Sequence, residues 1–223
     1  MPLTAPVEEA LLGLEFGKTT PTIPSTHYLG LFRAATWTAS TSGITASPVT
    51  WIVPTNFPAP NGNANLTSQG RLFYCSAITT GTTGTTEPTW PQTAGGSVTD
   101  GGVTWTEASS YLAVGTNYAN LEPPTSGGTG YTRNTSGLPN NTSTWPTPTA
   151  TGPLATVSTN VVANFPAVSA SWGQLVGGGG FDAATPGTGN LRWWGLFSAV
   201  TLIGTNIGVT PNVPLGSLFT TLD

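Results

Sequence analysis

Charge is what this sequence has least of. Only 5 of its 223 residues are Lys or Arg and 9 are Asp or Glu, 6% of the chain, against roughly 25% in an ordinary soluble domain. Catalysis by acid, base or nucleophile needs ionisable groups that converge. The supply here is one histidine, His27, one cysteine, Cys75, and carboxylates that mostly stand alone. The cations Lys18, Arg33, Arg71, Arg133 and Arg192 are scattered singly and the formal net charge is −4. No basic stripe exists for a phosphate backbone, so nucleic acid is not an expected partner. A single cysteine makes no internal disulfide, which suits a protein assembled in a reducing compartment and leaves stability to packing. No apolar run reaches the ~18 residues that span a bilayer. Met1-Pro2-Leu3-Thr4 has neither region of an export signal, so synthesis in the cytoplasm without membrane insertion is expected.

Other signatures are missing as well. There is no Gly-x-Ser-x-Gly elbow, and Gly177 to Gly180 lack the Lys and Ser/Thr of a phosphate cradle. Those four glycines are expected to allow tight turning or close backbone contact. Hard cations need several oxygen ligands, and the nearest acid pair, Asp100 with Glu107, is split by a turn; soft-metal ligands are lacking. No metal or cofactor is expected. The sequons at Asn65, Asn134, Asn140 and Asn141 are what an Asn/Thr/Ser-rich chain produces by chance.

What is present is glycine (29), proline (20), much Thr, Ser and Asn, and 8 Trp, 8 Phe and 5 Tyr spread along the chain. So many aromatics argue for a packed core rather than disorder. With little charge to keep copies apart, much of the surface is expected to be covered by further copies or a partner. Glu8 to Phe16 reads as the one helix, with Glu8 and Glu9 in its first turn and Gly17 ending it. Short strands then alternate with turn clusters, the pattern of a β-sandwich or barrel. Tyr28 to Phe32 has no polar side chain after Tyr28, which predicts a strand buried on both faces, and Arg71 to Cys75 predicts a second. Asp100-Gly101 between Ser97 and Trp105 predicts a hairpin with a type I′ turn. Period-two alternation from Ala155 to Phe165 predicts a core-lining strand; Leu191 to Ile203 predicts one or two central strands, and Leu215 to Leu222 a closing one. Ala46 to Ser110 reads as a compact module inserted between the flanking segments.

Two ordered motif sets run through these segments. The first has Tyr28-Leu29-Gly30-Leu31-Phe32, Glu122 through Gly130-Tyr131-Thr132-Arg133, Phe165-Pro166, Ser171-Trp172-Gly173, Phe181-Asp182-Ala183 and Gly189-Asn190-Leu191. Covering residues 1–45 and 111–223, it resembles the phage proteins described as tail-fibre-like, which implies a β-sandwich used as a virion building block, on capsid surfaces or in fibres. The second has Tyr74-Cys75-Ser76, Gly81-Thr82-Thr83-Gly84, Glu87-Pro88-Thr89-Trp90-Pro91 and Thr99-Asp100-Gly101-Gly102-Val103-Thr104-Trp105. It resembles a recurrent phage module similar to small carbohydrate-binding modules of the chitin-binding type. The resemblance implies a surface appendage that touches glycans. It departs from that pattern after Trp51, where Ile52-Val53-Pro54 replaces a Gly-Asp step.

The aromatics carry the remaining candidates. Exposed, Trp51, Trp90 and Trp105 beside Tyr74 would stack on a pyranose; buried, they would be the core of a module too small to have another, and the core is the favoured reading. Trp193 and Trp194 cannot share one face of a strand, so one packs inside while the other meets a neighbouring subunit or a second sheet, a candidate assembly contact. Cys75 is expected to be an apolar core position rather than a partner of His27. Together these readings predict an all-β, jelly-roll-like antiparallel sandwich with a short N-terminal helix and an inserted module. They predict no enzymatic activity and a virion location. The expected role is a capsid decoration or head-fibre subunit bound to the major capsid protein and to its own copies, as a homotrimer. The alternative is a tail adhesin that holds a host surface glycan. Glycan hydrolysis by Glu87, Asp100 and Glu107 stands a distant third.

Overall fold

The computed structural model describes residues 3–18, 20, 22–39, 41–47, 49–55, 72–115, 120–151, 154–203, 208–213 and 219–222. The chain opens with helix α1 (Ala5–Glu15), which starts earlier than the acid pattern indicates because Pro6 suits a first helical turn. It ends in a Schellman motif: Gly17 takes φ 62°, Lys18 N donates to the Gly13 carbonyl (2.7 Å), and Gly17 N donates to that of Leu14 (3.1 Å). Strands follow in the order β1 (Thr26–Arg33), β2 (Ala35–Thr36), β3 (Trp51–Val53), β4 (Phe73–Ile78), β5 (Ser97–Asp100) and β6 (Val103–Glu107). After a one-turn helix, α2 (Ser109–Ala113), come β7 (Leu138–Pro139), β8 (Thr149–Thr151), β9 (Leu154–Ser158) and β10 (Ala163–Asn164). The last strands are β11 (Gly173–Phe181), β12 (Leu191–Ile203), β13 (Asn212–Val213) and β14 (Phe219–Leu222).

Two large sheets form a sandwich. One, antiparallel, has the order β12-β11-β1-β7; the other, mixed because β2 and β3 run parallel, has the order β2-β3-β4-β6-β5. Smaller sheets are β14-β9-β8 and the pair β10-β13. Between the large sheets lie Phe32, Val176, Phe181, Leu191 and Trp194 from the first and Trp51 and Val53 from the second, closed by Leu72, Leu112 and Leu121. The outer face of the first sheet packs Leu29, Leu31, Leu175 and Trp193 against Tyr131, Leu138, Phe165 and Trp172. On the outer face of the second, Ile52, Phe73, Cys75, Val103 and Trp105 pack against Trp37, Ile44 and Trp90. This sheet begins at Ala35, and Trp37 and Ile44 precede Ala46.

Several local expectations meet their strands and others are corrected. β1 buries consecutive residues from Leu29 to Phe32 on its two faces. The second strand spans Phe73–Ile78, and Arg71 lies outside the described residues. The hairpin pairs Asp100 with Val103, but only Gly101 (φ 61°) is left-handed, the II′ pattern in place of I′. Leu191–Ile203 is a single strand, bulged where Leu196 and Thr201 face Gly177 and Leu175. The alternation from Ala155 to Phe165 is not one strand: β9 joins β14 and β8, β10 pairs with β13, and Thr159 is buried at the break. Of the predicted closing strand, Phe219–Leu222 forms β14; residues 215–218 lie outside the description.

The sandwich turns on β11, whose Gly177 to Gly180 form a strand between β1 and β12 rather than a turn. Trp193 stands opposite Gly180 and Trp194 opposite Gly179, so the two indoles enter opposite cores. A Cβ on Gly180 would run into the Trp193 ring at Cε2, Cζ2 and Nε1, and one on Gly179 would lie 2.9 Å from the Phe32 ring. Bare backbone thus lets large aromatics on both neighbouring strands lie flat across the sheet. Gly180→Ala is expected to lower stability by about 1–3 kcal/mol through overpacking. Trp193→Leu in the same chain should recover part of that loss. Thermal melts of the two single variants and the double variant read the coupling.

Candidate functional site

The motifs of the outer segments meet at one place. Loop 121–134 lays Glu122 against Arg133: Arg133 Nη2 donates to Glu122 Oε2 (2.8 Å) and Nε to Oε1 (3.0 Å), with side-chain exposures of 0% and 6%. Tyr131 Oη donates to Glu122 Oε1 (3.0 Å) and accepts from Leu31 N (2.9 Å) on β1. Gly187 N donates to Glu122 Oε2 (2.9 Å), while Arg133 Nη1 donates to the carbonyls of Ala183 and Thr188 (3.0 Å). The guanidinium lies 3.6 Å over the Phe181 ring. A Cβ on Gly30 would stand 2.6 Å from both Glu122 Oε1 and Phe181 Cε2, so glycine there is what lets the pair approach β1. Trp172 Nε1 donates to Thr129 O (2.8 Å) and its ring meets Tyr131 edge-on at 5.2 Å. Asp182 receives Asn190 N (2.6 Å) and Nδ2 (2.9 Å). Burial, then the Glu122 charge, pushes the Tyr131 phenol well above its ordinary value. Arg133 also borders a surface groove of ≈ 380 Å³ beside Tyr28, Thr135 and Thr185, but its nitrogens are directed inward. Chemically the network is a clamp: each carboxylate oxygen holds two donors.

The second motif set forms a similar device around indoles. Trp51, Trp90 and Trp105 are 4%, 3% and 0% exposed, which leaves a sugar no indole face: they occupy the core positions favoured for them and not the stacking platform that was the alternative. Asp100, itself buried, accepts from Trp37 Nε1 (2.7 Å) and Trp105 Nε1 (3.1 Å) on one oxygen and from Gly84 N (2.8 Å) on the other. Glu87 accepts from Trp90 Nε1 (2.8 Å), Thr55 N (2.8 Å) and the Thr55 hydroxyl. Glu107 accepts from Gly95 N (2.8 Å), Ser109 N (3.1 Å) and Ser109 Oγ (2.7 Å), which starts α2; burial moves its carboxyl above the usual range. Asp100, the last residue of β5, faces Val103, so it and Glu107 mark opposite ends of the β5–β6 hairpin.

Tyr74 alone of the four platform residues reaches the surface. It stands half-buried on β4, its ring 4.5 Å from that of Tyr111, with Trp51 behind both at 5.8 and 5.3 Å. Across the strands Tyr74 faces Thr106, and Thr106 faces Ser97. Hydroxyls continue the row: Ser97 Oγ to Thr106 Oγ1 (2.7 Å), then Thr106 Oγ1 to Ser76 Oγ (2.7 Å). Ser76, Ser97 and Thr99 are exposed, so a flat, uncharged face of hydroxyls leads up to two tyrosines. Sequence reasoning missed Tyr111, because a five-residue helix leaves no readable period.

The assembly candidates also move. Trp193 and Trp194 are 5% and 2% exposed, on opposite faces as expected, but inside the chain's own cores, and Trp194 meets the second sheet. Neither offers a surface to a neighbouring subunit. His27 lies beside Trp145 and Trp193 (ring centroids 6.2 and 6.5 Å); burial, then Arg192, lowers its pKa against the opposing pull of Asp182. Cys75 is 1% exposed and burial raises its thiol pKa, an inert core position far from nucleophile chemistry. Helix α1 is the surface that sequence reasoning passed over: none of its residues is buried, and Leu12, Leu14 and the capping Phe16 are 61%, 52% and 69% exposed.

Among the described residues no group of three His, Cys, Asp or Glu could hold a metal ion, and no helix is long and apolar enough to cross a membrane. No family model, curated protein or solved structure matches the chain.

Glu122→Gln leaves the Arg133 charge enclosed and is expected to cost about 3–5 kcal/mol, read as a lower urea midpoint. Adding Arg133→Met should restore a large part of the loss.

Proposed function

We propose that this chain is a structural protein of a tailed-phage virion, a capsid decoration or head-fibre subunit that works by binding rather than turnover. The observation that carries the proposal is the convergence of the tail-fibre-like motifs on a single network. Glu122, Tyr131, Arg133, Phe181, Asp182-Ala183 and Trp172 come from distant parts of the sequence and form one clamp around β1 and β11. A motif set that builds a scaffold supports kinship in architecture, and the architecture implied is that of a virion building block. The scarcity of surface charge supports the same reading, since few ions have to be stripped of water when copies or a major capsid protein cover it. The self-assembly proposed is a homotrimer. Quantitative mass spectrometry of purified virions should find hundreds of copies per particle, and particles lacking the chain should break at lower temperature. A handful of copies confined to the tail would overturn the decoration role.

A second reading, a tail adhesin that binds a host glycan, is favoured by the Tyr74–Tyr111 pair and its hydroxyl row. Aromatic faces and neutral hydroxyls suit an uncharged sugar, and none of the row's members is ionised at neutral pH. It predicts binding on an array of neutral oligosaccharides that Tyr74→Ala and Thr99→Glu both abolish while near-ultraviolet circular dichroism stays native. No binding by the wild-type chain would remove this reading.

A further inference from the structure

The segment from Ala5 to Ser25 is an arm fastened at both ends. At its base Thr4 is fully buried, donating through N to Arg192 O (3.0 Å) and through Oγ1 to Leu191 O (2.9 Å), and Leu3 bridges Trp193. The arm returns at Thr26, the first residue of β1, after passing Ile23, which is 61% exposed. Between these anchors α1 carries apolar residues on two sides. Val7, Ala10, Leu11 and Leu14 recur at the spacing of one helical face, and Leu12 with Phe16 forms an i, i+4 pair on the other. A helix apolar on two sides is built to be enclosed, yet none of its residues is buried in the chain.

Charge selects what encloses it. Glu8, Glu9 and Glu15 flank the apolar positions, and Lys18 is the one cation beside them. Copies of the arm laid together would crowd these acids. The chain has little with which to answer them: of its five cations Arg133 is enclosed by Glu122, Arg33 is partly buried, Arg192 sits at the arm's own base and Arg71 lies outside the described residues. An anionic membrane would repel the same acids. We propose that α1 and its capping Phe16 are the docking element of the protein, and that the occupant is another virion protein offering an apolar groove with Lys and Arg along its rim. This rests on the virion reading above and adds to it the contact surface and the chemistry of the partner.

The test adds purified full-length chain to shells isolated from particles that lack it, and measures bound chain by sedimentation. Wild-type chain should bind. Leu12→Ser with Phe16→Ser should bind at least about 100-fold more weakly, as the loss of two enclosed apolar side chains implies. Glu8→Lys with Glu9→Lys and Glu15→Lys should also bind more weakly and lose the salt dependence of the wild type. Light scattering should give each variant the oligomeric mass of the wild type. Variants that bind like wild type would overturn the role of α1 and leave the virion reading standing. A drop in mass would make α1 a contact between copies instead. Binding to phosphatidylcholine vesicles that disappears in the Leu12→Ser, Phe16→Ser chain would make the occupant lipid. Failure of the wild-type chain to bind shells would overturn the virion reading, and this partner with it.

Discussion

The missing side chains of Gly177 to Gly180 are the constraint on which the sandwich depends. β11 lies between β1 and β12, and the sheet they form is covered on both faces. A strand with two buried faces ordinarily fills them with Val, Ile and Leu. Here the neighbours fill them: Trp193 and Phe32 lie across bare backbone from opposite faces, and Trp194 enters the inter-sheet core opposite Gly179. Glycine in a strand gives up more chain entropy than any other residue, so the arrangement is stable only because each indole buries a large apolar area in return. Gly30 extends the device to β1, where a Cβ would displace both Phe181 and Glu122. The ion pair is therefore secondary to the glycines, because it occupies room that they leave.

Scarcity of charge at the surface coincides with the way charge is used inside. Glu87, Asp100, Glu107 and Glu122 hold indole, phenol, hydroxyl or backbone donors in place, and Arg133 holds two backbone carbonyls. Enclosing an ionised group costs several kcal/mol, which Coulomb attraction repays only when the remaining lone pairs are also satisfied. Four donors on Glu122 and three on Asp100 meet that condition. Such clamps fix one geometry for loops that have no regular secondary structure. They convert Thr- and Gly-rich stretches with little packing of their own into surfaces of defined shape.

Where sequence and structure agree, the signal was local and periodic. Unbroken burial from Leu29 to Phe32, the Asp100-Gly101 hairpin and the opposite facing of Trp193 and Trp194 follow from strand alternation and turn chemistry. Period two says nothing about which sheet a strand joins, and so Ala155 to Phe165 read as one strand although β9 ends at Ser158 and the chain re-enters a different sheet at Ala163. α2 escaped notice because five residues hold too little period to read, and it starts where the Glu107 carboxylate accepts from Ser109 N and Oγ. The candidate site was legible only in part. The indoles were recognised as core or platform, and for two of them an acid receives the N–H inside the core: Glu87 three residues before Trp90, and Asp100 five before Trp105.

That distinction bears on how the surface divides. The tryptophans anchored by acids, Trp37, Trp90 and Trp105, belong to the fold, whereas Tyr74 on β4 and Tyr111 on α2 are half-buried and Phe16 on the arm is exposed. The two places differ in chemistry. The tyrosines adjoin hydroxyls on a rigid sheet, where recognition would proceed through many directional contacts with a flat, neutral ligand. Phe16 and Leu12 project from a helix tethered by Thr4, where burial of apolar area would supply the attraction and three acids would set its direction. Because the arm is fastened to β12 beside Trp193, force applied to α1 is delivered directly to the strand that packs on the tetraglycine. A partner holding the helix would therefore pull on the sheet that lies between two cores and not on the loops.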